Sequence, residues 1–167
     1  MQSVCSPVCA LTLVRTQAEL KERKESRKTD RLIKKLLKTK RDWIKDAQKV
    51  VNQYVRLRDV GKPCISCGAI LSIGGVGGGF DAGHYRSRGS AAHLRFDSER
   101  NIHGQCKRCN NHLAGNYSAY RVGLIARIGI EEVEALESDN TPRKYSIDDL
   151  KNIIQCYKLK IKELKTK

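Results

Sequence analysis

The sequence predicts an α+β fold: a small two-stranded unit pinned by cysteines, flanked by helices and preceded by a long basic helix. Three observations predict it. Two Cys-x-x-Cys pairs, Cys64 with Cys67 and Cys106 with Cys109, bracket thirty-eight residues. Within that interval "FDAGHY" and "HLRF" have the bulky, alternating character of two short strands. Outside it, apolar residues recur at three- and four-residue steps, the period of a helix.

From Gln17 to Lys40 the chain is helix-forming and highly charged, with Leu20, Leu32, Ile33, Leu36 and Leu37 as a thin apolar stripe. A stronger helix follows over Asp42–Asp59, where Ile44, Ala47, Val51, Tyr54 and Val55 recur in helical phase. "VGKP" stops it, since Gly61 and Pro63 both end helices. Residues 64–79 are turn-rich. "SIGGVGGG" lacks the Gly-Lys-Ser/Thr of a phosphate-binding loop, so it is read as a flexible hairpin tip or insertion.

After the two strands a helix is expected to start near Cys106–Asn110. Tyr117–Ile128 and Glu131–Glu137 form amphipathic pieces separated by Gly129. A last helix opens with a Ser146 and Asp149 capping pair and carries Ile147, Leu150, Ile153, Ile154, Tyr157 and Ile161 on one face. Cys156 beside that face is read as a small buried residue.

The 167 residues carry a formal net charge of +15, a surplus that points to a polyanionic partner, nucleic acid first. The surplus is concentrated in the first 60 residues, with 16 basic and 7 acidic groups, although a run such as "ELKERKESRKTDR" is equally a solvated helix face. No run approaches the ~18 apolar residues of a membrane span. The opening "MQSVCSPVCALTLV" has no basic stretch before its apolar one, so no signal peptide is expected. The seven cysteines are therefore expected in a reducing cytoplasm, where paired cysteines mean metal more often than disulfide.

Two knuckles supply four thiolates, the donor set of a closed tetrahedral zinc site. Such a site has no open position for water, so this zinc is expected to be structural and to pin the ends of the insert that contains His84. Cys5 and Cys9 form a lone pair with too few ligands for a closed site, an incomplete knuckle. The insert orders a strand ending in Asp81-Ala-Gly-His84, a loop and second strand, Asn101, the second knuckle, and Asn110 directly after it. A ββα-metal nuclease needs that order: a base on the first strand, an asparagine that fixes it, and a metal ligand on the following helix.

The set Cys64, Cys67, His84, Asn101, Cys106, Cys109 and Asn110 resembles the zinc-knuckle branch of the HNH, or His-Me finger, endonucleases. More closely, "CISCG", "DAGHYRSRG", "LRFDSERNIHGQCKRCNNHLAGN" and "YRVGLIARIG" resemble the NinG (Rap) family of lambdoid phages, over about residues 41–167. The resemblance implies His84 as general base, Asn101 as its orienter, Asn110 as a magnesium or manganese ligand and the four central cysteines as zinc ligands. It also implies branched DNA, Holliday junctions and D-loops, as substrate in phage recombination within the host cytoplasm. The implied organisation is a basic, partly extended helical arm over 1–40 and a zinc-stabilised HNH-like domain over 41–167 with C-terminal helices.

Two departures from the pattern stand out. HNH enzymes commonly place an acidic ligand directly before the histidine, whereas Gly83 stands there and Asp81 lies three residues before His84. Asp81 is either a ligand reaching in from the strand or a support behind the metal. At the N-terminus the family's upstream cysteine pair is missing before "VCSPVC".

A neutral imidazole can take a proton from water at cellular pH, and one divalent metal can neutralise the phosphoryl and leaving oxygens. Arg86, Arg88, Arg95, Lys107 and Arg108 lie near the site in sequence and are expected to hold phosphates without reading bases. His93, His103 and His112 are read as surface or structural residues, with His103 or His112 near enough in sequence to approach phosphate. A junction offers two strands to cut, which suits a homodimer working beside other recombination proteins. The competing expectation is a noncatalytic, zinc-stabilised DNA-binding adaptor. Basic charge and the knuckles serve both; only His84, Asn101 and Asn110 at their spacing distinguish them.

Overall fold

A computed structural model describes residues 6–74 and 78–166, and the chain divides into two units, Met1–Thr39 and Lys40–Lys167. The first unit is one helix, α1 (Pro7–Leu36). It starts well before the expected Gln17. Ser6 is extended and its hydroxyl accepts from the Cys9 amide at 3.2 Å, and Pro7 fills the first helical position, where no amide hydrogen is needed. Thr12 and Thr16 turn their hydroxyls back onto the carbonyls of Val8 and Thr12, which lets them sit inside the helix. Leu11 and Leu32 are more than half exposed, so this unit buries no continuous face of its own.

The second unit contains α2 (Lys40–Asp59), β1 (Phe80–His84), β2 (Ile102–Cys106), α3 (Tyr117–Ile128), α4 (Ile130–Ser138) and α5 (Ile147–Thr166). It is α+β, with a single two-stranded antiparallel sheet among the described residues. In its register Phe80 pairs with Cys106 and His84 with Ile102. Ala47, Val51 and Val55 of α2 are fully buried against Leu150 and Tyr157 of α5, each buried valine or leucine contributing about 1.5–3 kcal/mol. The reciprocal bonds between Ser146 and Asp149, at 2.8 and 3.0 Å, cap α5 as its sequence suggests.

A second cluster joins Ile65 of the first knuckle to Tyr120 and Leu124 of α3 and Val133 and Leu136 of α4. Gly123 makes that docking possible. A Cβ there would lie 1.8 Å from the carbonyl oxygen of Ile65, so α3 rests directly on the knuckle backbone.

Three expectations are corrected. "HLRF" is not a strand: Ala92–Leu94 is a single 3-10 turn. Its carbonyl partners come from α5 and the segment before it, with the Tyr145 and Tyr157 hydroxyls donating to His93 and Phe96. The second strand is instead Ile102–Cys106, and the turn after it is a π-helical turn over Arg108–His112. Cys156 is exposed, because Leu150, Tyr157 and Ile161 occupy the buried stripe of α5. Among the described residues no helix is long and apolar enough to cross a membrane.

Candidate functional site

The two knuckles meet. The four sulfurs of Cys64, Cys67, Cys106 and Cys109 all lie within 4.8 Å of one another, and those of Cys67 and Cys106 are 3.7 Å apart. Sulfurs ~2.3 Å from a tetrahedral zinc stand about 3.8 Å apart, so the cluster fits that ion. Backbone amides of Cys106 and Cys109 donate to the sulfurs of Cys64 and Cys106, and the side-chain Nδ2 of Asn116 donates to that of Cys109. These bonds stabilise thiolates. Buried Leu71 and Phe80 close around the cluster. Cys9 is exposed, and Cys5 lies outside the described residues, so the incomplete knuckle expected there has only one described member.

The same hairpin builds a polar cleft of about 570 Å³, lined by Asp81, His84, Arg88, Lys107 and Asn110 together with Asn111, Asn52 and Arg56. Four elements converge there: β1, the loop after it, the π-helical turn and α2. His84 ends β1, and one ring nitrogen, Nε2, lies 3.1 Å from the carbonyl oxygen of Arg95. A carbonyl only accepts, so Nε2 carries the hydrogen and Nδ1 keeps the lone pair. Burial lowers the imidazole to about 4, and the charges of Arg88 and Arg95 press the same way. It is neutral at neutral pH.

Asn101 does not touch the imidazole. Fully buried, it accepts from the Arg86 amide at 2.7 Å and donates to the carbonyls of Arg86 and Leu94 at 3.1 Å. It therefore closes the loop between the strands at its neck. The carbonyl that holds His84 belongs to Arg95, the next residue after Leu94, so Asn101 bears on the imidazole through the backbone.

Asp81 is the hub of the opposite wall. Its carboxylate receives Lys107 Nζ at 2.6 Å, Asn110 Nδ2 at 3.1 Å and Asn111 Nδ2 at 3.2 Å. Carboxylate and carboxamide oxygens are hard donors of the kind magnesium and manganese take. The carboxamide oxygen of Asn110 accepts no bond among the described residues. The donor set fits such an ion, with Lys107 already neutralising part of the Asp81 charge.

The five cations expected to hold phosphate separate into groups. Arg88 and Lys107 line the cleft, and Arg95 lines the groove beside it. Arg86 points elsewhere: its guanidinium donates to the carbonyls of Leu136 and Asp139 and to Asn140, tying the loop to the end of α4. Arg108 is exposed and lines no part of the cleft. His103 is buried, lowered to about 4 first by burial and then by Arg58 and Arg127, and serves the fold. Asn111, Asn52 and Arg56 were not anticipated. Asn111 sits beside a residue that was, but Asn52 and Arg56 come from a helix about thirty residues upstream, and local sequence carries no sign of that juxtaposition.

The family profile described as Bacteriophage Lambda NinG protein matches residues 1–167, arm included. Protein ninG of Salmonella phage P22 is 43% identical over 176 residues, covering 96% of this chain and 83% of the relative. Protein ninG of Escherichia phage lambda matches to the same extent. That of Escherichia phage 933W is 46% identical over 134 residues, 80% of this chain and 64% of the relative. No solved structure matches.

Proposed function

We propose that this chain, which belongs to the NinG family of bacteriophage proteins, is a metal-dependent endonuclease of the ββα-metal, HNH or His-Me, kind that hydrolyses phosphodiesters in branched DNA. One observation carries the reading: a neutral histidine, a carboxylate and a carboxamide share one cleft with Arg88 and Lys107. Mere DNA binding has no use for the first three together.

In this reading His84 Nδ1 takes a proton from the attacking water, while the Arg95 carbonyl fixes the ring through Nε2. A base near 4 is weak. Burial is the largest cause, and a phosphate anion in the cleft offsets the lesser one, the charges of Arg88 and Arg95, so the base strengthens in part as substrate binds. Asn110 and Asp81 would hold a magnesium or manganese ion, which when bound supplies Lewis-acid charge to the phosphoryl oxygens. Lys107 and Arg88 grip adjacent phosphates. Zinc in the four-cysteine centre is structural. Paired incisions across a junction need two clefts, so two copies of the chain act together, within a phage recombination reaction in the host cell.

The test is incubation of purified protein with a synthetic four-way junction and magnesium or manganese, beside His84→Ala. Nicked strands from the wild type alone are expected. A wild type that binds the junction but leaves every strand intact across several divalent metals overturns the reading and leaves a noncatalytic DNA-binding adaptor.

A further inference from the structure

A second concavity, of about 790 Å³, runs from the cleft along α2. Its cations are Lys45, Lys49 and Arg56 from the helix and Arg88 and Arg95 from the loop after β1. Asn52, Arg56 and Arg88 line both the groove and the cleft, so the two are continuous. At about 100° per residue, Lys45, Lys49, Asn52 and Arg56 fall within roughly 60° of one helix face, turned by about 90–170° from buried Ala47, Val51 and Val55.

Charge on a helix face is ordinarily solvated and balanced by neighbouring carboxylates. Several cations of this unit follow that pattern, as Arg58 does with Asp59, Arg100 with Asp97 and Arg121 with Glu137. None of the five groove cations pairs with a carboxylate among the described residues. They crowd one another instead: burial and then the charge of Arg88 lower Arg95. Arg56 is seated closely as well. Gly78, at φ 83°, lies so near that a Cβ would stand 2.7 Å from its guanidinium.

We infer that this groove is a phosphate track, which carries the sugar-phosphate backbone of one duplex DNA arm along α2 and delivers it to the cleft. Eleven residues of helix rise about 16 Å, and a DNA strand advances about 3.4 Å per nucleotide. The face from Lys45 to Arg56 therefore accompanies about five nucleotides. It reads no bases, because lysine and arginine on phosphates set position and register alone. The inference rests on the nuclease reading only for what the track leads to.

Binding is measured with His84→Ala as the parent, so that no strand is cut, on a duplex and a four-way junction between about 50 and 200 mM salt. Replacing Lys45, Lys49 and Arg56 together by glutamine is expected to make the slope of log K against log salt shallower by about three, one for each lost contact. The exchange Lys45→Arg, Lys49→Arg and Arg56→Lys keeps the parent slope. So does a matched removal of Lys158, Lys162 and Lys165 on the exposed face of α5. An unchanged slope in the groove variant, an equal loss in the α5 variant, or tighter binding of duplex RNA than of DNA overturns the inference. Each outcome is read without cleavage, so it stands apart from the fate of the nuclease reading.

Discussion

The thiol cluster and the polar cleft are made from the same short stretch of chain, and they use it oppositely. Along the turn after β2, Cys106 and Cys109 face the sulfurs of the first knuckle, while Lys107 and Asn110 face Asp81. The sulfur side is closed: Cys64 and Cys109 are nearly inaccessible, and Phe80 packs over them. The cleft side is half-exposed and holds polar groups in mutual hydrogen bonds. The difference teaches a division of labour. Adjacent residues, Cys106 with Lys107 and Cys109 with Asn110, serve the sulfur cluster and the cleft separately, yet the clamp fixes the turn that aims the cleft.

Substitutions that damage one side and spare the other test this division. The largest effect is expected at the clamp. Structural zinc in small fingers contributes about 10 kcal/mol, so Cys106→Ser, or a chelator, should abolish the cooperative melt of the second unit along with about one bound zinc per chain. Retention of a sharp melt after complete zinc removal would show that the clamp is dispensable. Next, His84→Ala should lower junction cleavage by about 10²–10⁴-fold while keeping its zinc and a cooperative melt. Loss of zinc together with cleavage would merge the two sites into one.

Acid gives the third contrast. His84 and His103 are held near 4 in the fold, against an ordinary value of 6.5. The unfolded chain therefore takes up protons first as pH falls. Their stabilisation is complete above about 6.5 and is lost between about 6.5 and 4, on the order of 3 kcal/mol for each. Urea midpoints of His84→Gln should fall less over that interval than those of the wild type, since thiolate protonation is common to both; equal falls would remove His84 from the account. The smallest effect is Gly123→Ala. It should cost about 2–3 kcal/mol by lifting α3 from the Ile65 carbonyl, and an unchanged urea midpoint would contradict that contact.

Helices α2 to α5 were legible because each carries an apolar stripe in helical phase and, at α5, a capping pair. The four cysteines were legible through spacing alone, and their convergence needed no further clue. Strand β2 was hidden. Its residues Ile102, His103, Gly104 and Gln105 are all buried, and the polar pair His103 and Gln105 shares one face that is itself covered, so no solvent-facing side marks it. The "HLRF" stretch misled for the converse reason: Leu94 and Phe96 are buried as strand residues would be, but distant tyrosine hydroxyls satisfy the backbone there. The site was read from residues close in sequence, which named His84, Asp81 and Asn110, three residues that line one cleft, and also Arg86, whose guanidinium is committed to the end of α4. Lys45, Lys49, Asn52 and Arg56 share a helical phase in sequence, but only the tertiary fold lays that face beside the cleft.

The π-helical turn over Arg108–His112 has a consequence for how the gene can vary in length. It fits one more residue into a turn than an α-helix does, and that extra residue is what lets Asn110 and Asn111 both reach Asp81. Losing a single codon there would relax the turn to ordinary helix and swing one carboxamide about 100° away from its partner. Surface loops elsewhere in such a chain absorb insertions and deletions readily. These five residues should tolerate exchange of side chains far better than any change of count.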